Sequence, residues 1–98
     1  MIRGTTPTHT FHVNVDLTSA TAVYVTYRQG NVVINKPKSA LTITSGAVVA
    51  HLTQTETLSL SANADVQIQI RAKLSDGTAV ASSIITVPVE AILKDGEI

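Results

Sequence analysis

From Asp65 to Lys73 the chain reads DVQIQIRAK. Val66, Ile68, Ile70 and Ala72 alternate with Gln67, Gln69, Arg71 and Lys73. Successive side chains of a strand point to opposite faces, so this period of two sets an apolar face against a polar one. Val and Ile also lose rotamer freedom in a helix and pack well on a pleated surface. The stretch is a half-buried strand, and the rest of the chain must supply what covers its apolar face.

Working outward, residues 75–78 read SDGT, and Asp76-Gly77 is a hairpin signal. A last strand from Thr78 towards Val89 follows, with Ile84, Ile85, Val87 and Val89 making it apolar on both faces. Upstream, LTQTETLSL is less regular and reads as a crossing between sheets. Thr53 and Glu56 have capping-box spacing, so Thr53 is expected to cap a short turn and Glu56 to reach back to its N–H, a plain solvated loop being the alternative. AVVAHL turns Val48, Ala50 and Leu52 inward, and Ser45-Gly46 before it marks a tight turn. LTIT directs Leu41 and Ile43 inward, after a turn at Pro37-Lys38-Ser39. The strand VVINK pairs through Gln29-Gly30-Asn31 with TAVYVTY, whose Val23, Val25 and Tyr27 share a face. At the start, Phe11, Val13, Val15 and Leu17 alternate with polar residues, which predicts a strand from Thr8 to Leu17, preceded by Pro7.

About seven short strands with turns every 8–12 residues are the pattern of a sandwich. The expectation is a single all-β domain over residues 1–98, an immunoglobulin-like β-sandwich, with a small closed β-barrel as the alternative. Its inward set should comprise Phe11, Val13, Val15, Val23, Val25, Ile34, Leu41, Ile43, Leu52, Leu58, Val66, Ile68, Ile70, Ile84 and Val87. Only VEAILKDG, near the C-terminus, could make a helical turn.

Composition narrows the function. Hydrophobic residues make up 44% and charged ones 14%, against about a quarter charged in an average domain. Such a balance excludes a disordered tail and leaves a neutral surface of the kind that meets partners. Seven basic residues balance seven acidic ones with no basic block, so nucleic acid is not an expected partner. The N-terminal MIRGTTPTHTF has no apolar core of a signal peptide, and no apolar run approaches the ~20 residues of a membrane helix. A cytoplasmic origin is expected, with no membrane partner.

Catalytic and metal-binding patterns are missing. The chain has no Cys, and no activated-serine context such as a GxSxG elbow. His9 and His12 project from opposite faces of their strand, and His51 sits on another, so they are read as solvent-facing or edge residues and not as ligands. The acidic residues fall at turns, strand ends and the tail. The expectation is a protein that is not an enzyme, has no cofactor and takes no small-molecule substrate.

Contact residues are expected instead. Tyr24 alone of the aromatic residues looks outward and is a candidate interface anchor. The final strand needs cover on its second face, and Pro88 places it at a sheet edge. Either the tail, Ala91 to Ile98, folds back over it or a second chain does. Low charge favours a second chain in a homo-oligomer, with Ile85, Val89, Ile92 and Leu93 as contact residues.

Several stretches together resemble small structural proteins of phages and prophages of Gram-positive bacteria. They are MIRGTTPTHTF, HLTQTETLSL, VQIQIRAKLSDGTAVASSIITVPV and ILKDGEI, in that order. The layout is similar to the N-terminal β-sandwich of phage baseplate upper proteins, in which an LTQEET-like segment precedes a QIR-containing strand. Those proteins continue into a long fibre region and this chain ends at Ile98, so the resemblance implies a small free-standing virion or tail-assembly protein. Its partners would be other virion proteins, and its location the virion, assembled in the host bacterial cytoplasm. The alternative, from a different class, is a soluble immunoglobulin-like binding module for a host protein or glycan.

Overall fold

The computed structural model describes all 98 residues. Its strands are β1 (Thr8–His12), β2 (Ala22–Gln29), β3 (Val32–Pro37), β4 (Leu41–Thr44), β5 (Ala47–His51), β6 (Ala64–Lys73), β7 (Ala79–Ala81) and β8 (Ile85–Val89). A 3₁₀ turn at Lys38–Ala40 leads into β4, and one short helix, α1 (Gln54–Leu58), links β5 to β6.

Two antiparallel sheets face each other, one ordered β1–β5–β4 and the other β3–β2–β6 with β7 and β8 both on the far side of β6. Both sheets are open, so the chain is a sandwich and not a closed barrel. The immunoglobulin pattern sets strands B, E and D against C′, C, F and G, and the eight strands follow it. Here β1, β5 and β4 take the first three places, β3, β2 and β6 the next three, and β7 with β8 the last. No strand flanks β1 on its outer side, where strand A of that pattern would lie.

The core is what the alternation in β6 and β2 dictates. Val23, Val25, Tyr27, Val48, Ala50 and Val66 are fully buried, with Ile68, Ile70 and Ala72 nearly so. Each large aliphatic buried this way contributes about 1.5–3 kcal/mol. Leu41, Ile43, Phe11 and Val13 pack against this cluster while half-buried.

The connection through α1 takes the capped form. Thr53 Oγ1 accepts from the N–H of Glu56 at 3.1 Å, and Glu56 Oε1 accepts from the N–H of Thr53 at 2.8 Å. Thr57, the one buried polar residue, donates its hydroxyl to Thr5 O at 2.8 Å and so holds the N-terminal segment against the helix. Arg3 reaches past the helix end, Nη2 donating to Leu58 O and Nε to Leu60 O, both at 2.9 Å. The first of these, Leu58 O, is a carbonyl that the helix terminus leaves without a partner.

Several expectations change. Strand β1 stops at His12, whose partner Ala47 is the first residue of β5, so beyond Val13 the chain has no ladder to follow; Val15, expected inward, is 42% exposed. Leu60, not Leu58, fills the core below α1, since the helical turn changes the period from two to about 3.6. The final strand is divided in two. Arg71 pairs with Ala81, but Ile68 pairs with Ile85, so three steps along β6 match four steps along β7 and β8. The extra residue is a β-bulge. It shifts every later residue by one position, which leaves Ile84, expected inward, 55% exposed and puts Val89 in the core.

Candidate interaction surface

A sheet edge carries unpaired backbone groups and is guarded in most proteins by charges, prolines, bulges or cover. The edge at β3 has Pro37 and an inward-pointing Lys36, whose Nζ meets Glu56 Oε1 at 2.6 Å. Burial would raise the Glu56 pKa, but the hydrogen bonds from Lys36 and Thr53 and the Lys36 charge together hold it below the usual value. The edge at β4 is four residues long, and β1 is five.

The edge at β7 and β8 differs from these along its length. Its lower end is covered by the start of the chain. The terminal amino group of Met1 donates to Pro88 O at 2.8 Å, Glu90 N–H donates to Met1 O at 2.8 Å, and Arg3 N–H donates to Glu90 O at 3.1 Å. Ile2 thereby lies parallel to Glu90 as a single bridge. Above that point nothing covers the edge, and no residue from Thr78 to Val89 is charged. Its bulge is built by Ser82, whose N–H donates to Ile70 O at 2.8 Å while its Oγ accepts from the N–H of Ile70 at 3.0 Å. The side-chain oxygen stands in for a ladder carbonyl.

Behind this upper edge the sandwich is open. A cleft of about 260 Å³ separates Val13, Val15 and Leu17 from Ile70, Ala72 and Val80, with His12, Asn14, Ala81 and Ser82 also lining it. It lies on the side of β1 where no strand is present. Val15, Ile84 and Ile85, at 42%, 55% and 43% exposed, bring large apolar side chains to this side of the molecule.

The expected contact residues fall in separate places. Tyr24, 47% exposed, stands on the outer face of the larger sheet, opposite Arg71 on one side and Pro37 on the other. It joins Asn35, Arg71 and Lys73 in lining a shallow depression of about 350 Å³. Ile85 is on the open edge, whereas Val89, expected as a contact residue, is 2% exposed and belongs to the core. Ile92 is half-buried over Gly4, and Leu93 is fully exposed on the tail. The cover expected from the tail or a second chain is supplied at the lower end by Met1–Arg3, through pairing that no local pattern announces.

Sequence reasoning missed Ile2 and Ile84 as exposed apolar residues. For Ile84 a signal existed, because adjacent isoleucines in a strand cannot both face one core. His9 does lie on an edge strand, β1, but it turns inward from there, and its Nδ1 lies 2.8 Å from the Tyr27 hydroxyl. Burial lowers the His9 pKa below 6.5, and burial followed by the Glu56 charge raises that of Tyr27, so a neutral imidazole meets a neutral phenol, with the donor set by the imidazole tautomer. No group of three His, Asp or Glu residues is placed to hold a metal ion, and no helix is long and apolar enough to cross a membrane. What the surface offers is backbone hydrogen-bonding capacity beside apolar area. No family model, curated protein or solved structure matches this chain.

Proposed function

We propose that this chain is a non-enzymatic structural or assembly component of a bacteriophage particle, acting through protein–protein contacts. The observation that carries the contact role is the uncharged, uncovered stretch of β7 and β8, flanked by exposed Ile84 and Ile85 and the apolar cleft. An isolated domain gains nothing from leaving such an edge unguarded. The virion assignment rests on the resemblance to phage baseplate proteins, and a rigid sandwich suits presentation in many copies. Other virion proteins are the partners under this reading, and assembly takes place in the host cytoplasm.

The test is fractionation of particles released on prophage induction from the strain that carries the gene. Banding of the chain with intact particles, in fixed ratio to a major virion protein, is the expected result. Recovery only in the soluble lysate would overturn the reading.

The second reading, a soluble binding module, is favoured by one feature, the exposed Tyr24 beside Arg71, Lys73 and Asn35. Under it Tyr24→Ala abolishes binding to host-cell surfaces and leaves particle association untouched.

A further inference from the structure

We infer that the depression around Tyr24, on the outer face of the larger sheet, binds an acidic sugar, a pyranose that carries a carboxylate or phosphate group. This rests on the binding-module reading and names its ligand.

The outer faces of three strands build it. Val23, Val25, Ile34, Ile70 and Ala72 turn into the core, so Ala22, Tyr24, Thr26, Asn35, Arg71 and Lys73 turn outward. Pairing sets Ala22 and Ala79 on either side of Lys73, and Tyr24 and Ala81 on either side of Arg71. These alanines reach no further than a methyl group, which leaves a hollow of about 350 Å³ between the longer side chains. That lies at the lower end of the size range of small-ligand sites and has room for about one or two sugar rings.

Charge selects the acid group. Arg71 and Lys73 stand about 6.5 Å apart along β6, and neither has an ion partner within the chain. Asp65 shares their face but lies further down the strand, about 20 Å from Arg71 and beyond the reach of its charge in physiological salt. Asp76 Oδ1, in the turn above, accepts from the N–H of Thr78 at 2.9 Å. The two cations repel each other with no carboxylate between them, and an anionic group set across both relieves that repulsion.

The remaining groups point to a sugar. Thr26 donates its hydroxyl to Asn35 Oδ1 at 2.7 Å, which leaves the amide N–H groups of Asn35 to face a ligand. Guanidinium, ammonium and amide together make a hollow rich in donors, suited to acid and hydroxyl oxygens. Tyr24, 47% exposed, offers a flat apolar ring for the C–H face of a pyranose, with its hydroxyl as a polar tip. An acidic protein would need an apolar core to its contact, whereas Arg28, Gln67 and Gln69, which border the hollow on β2 and β6, are polar. A nucleic acid would need a longer track of cations.

The test is titration of the isotope-labelled chain, followed by amide NMR, with glucuronate, a hexose phosphate, neutral glucose, inorganic phosphate and a poly-glutamate peptide. Both acidic sugars are expected to shift the amides around Tyr24, Asn35, Arg71 and Lys73, and the tighter of the two identifies the acid group. Neutral glucose should bind at least about tenfold more weakly. Arg71→Gln and Tyr24→Ala should each weaken the acidic sugars about tenfold. Arg28→Gln, on the same face but outside the hollow, should change affinity by less than about twofold. All three side chains are exposed, and the amide spectrum of each variant shows whether it is folded.

Absence of shifts at these amides would overturn the inference, as would neutral glucose binding as tightly as the acidic sugars. Equal losses in Arg28→Gln and Arg71→Gln would also overturn it, since they mean diffuse attraction and not a site. Inorganic phosphate binding as tightly as the hexose phosphate would remove the sugar ring from the ligand, and tighter binding of poly-glutamate would make the partner an acidic protein; either result overturns the sugar. Sugar binding by a chain that adsorbs to no host cell would keep the site and overturn the binding-module reading. Adsorption that is lost in Tyr24→Ala, yet not competed by either acidic sugar, would do the reverse.

Discussion

The hydroxyl of Tyr27 and Nδ1 of His9 meet at 2.8 Å across the interior, β2 in one sheet touching β1 in the other. Because His9 binds its proton less readily in the folded chain, the unfolded chain takes up more protons between the two pKa values. Stability therefore rises with pH in that window and is lost as pH falls below the ordinary value of 6.5, levelling off under the folded one. Urea midpoints measured on either side of this point should fall on acidification in the parent and much less in His9→Gln. A slope that survives the substitution would place its origin elsewhere. Tyr27→Phe, which removes only the hydroxyl, should cost about 0.5–1.5 kcal/mol.

The register of β6 is checked by two neighbouring substitutions. Ile68 is 2% exposed, and Ile68→Ala should cost about 2–5 kcal/mol by chemical denaturation. Gln67 faces solvent, and Gln67→Ala should cost under about 1 kcal/mol. Stabilities in the opposite order would mean the strand is turned over by one residue.

At α1, Thr53→Ala should cost about 0.5–2 kcal/mol through loss of the cap. Glu56 serves both the cap and Lys36, with the side chains of the ion pair only 13% and 25% exposed. A double-mutant cycle with Lys36→Met and Glu56→Gln should give a coupling of about 1.5–3 kcal/mol, the usual range for a hydrogen bond to a charged group. Since the Glu56 pKa is lowered, its contribution is present above 4.5 and disappears as pH falls through the folded value. Coupling near zero at neutral pH would show that the pair is solvated.

Gly4 adopts φ +75°, and a Cβ there would lie 2.8 Å from Ile92 Cδ1 and 3.3 Å from Leu58 Cδ2. Gly4→Ala should therefore be destabilising twice over. Adding Ile92→Ala removes the clash but not the left-handed backbone, so about 1–2 kcal/mol of the loss should remain, read from thermal melts of the two variants. Full recovery in the double variant would mean the backbone at Gly4 relaxes freely.

Most of the architecture was legible because it rests on local alternation. The faces of β2 and β6, the inward residues of β4 and β5, the turns at Gly30, Gly46 and Gly77, and the Thr53–Glu56 box all depend on side chains within a few residues of one another. The candidate surface was only half legible. Runs without charge can be counted from Thr78 to Val89, but which of those residues stay exposed depends on pairing partners far along the chain.

Alternating apolar residues determine by themselves that this chain makes two half-buried sheets, since each strand must hide one face from water. Three features were decided only by the tertiary structure. Strand β5 begins only at Ala47, opposite His12, so the chain leaves the ladder after Val13 and Val15 is exposed. One residue more on the last strand than on β6 forces a bulge, which exchanges Ile84 for Ile85 on the inner face and carries Val89 into the core. The chain's first residues cover the end of β8 through hydrogen bonds spanning nearly its whole length. Register and edge cover are set by contacts between distant segments, where loop-closure entropy and packing weigh against each other, and periodicity within one strand carries no information about either.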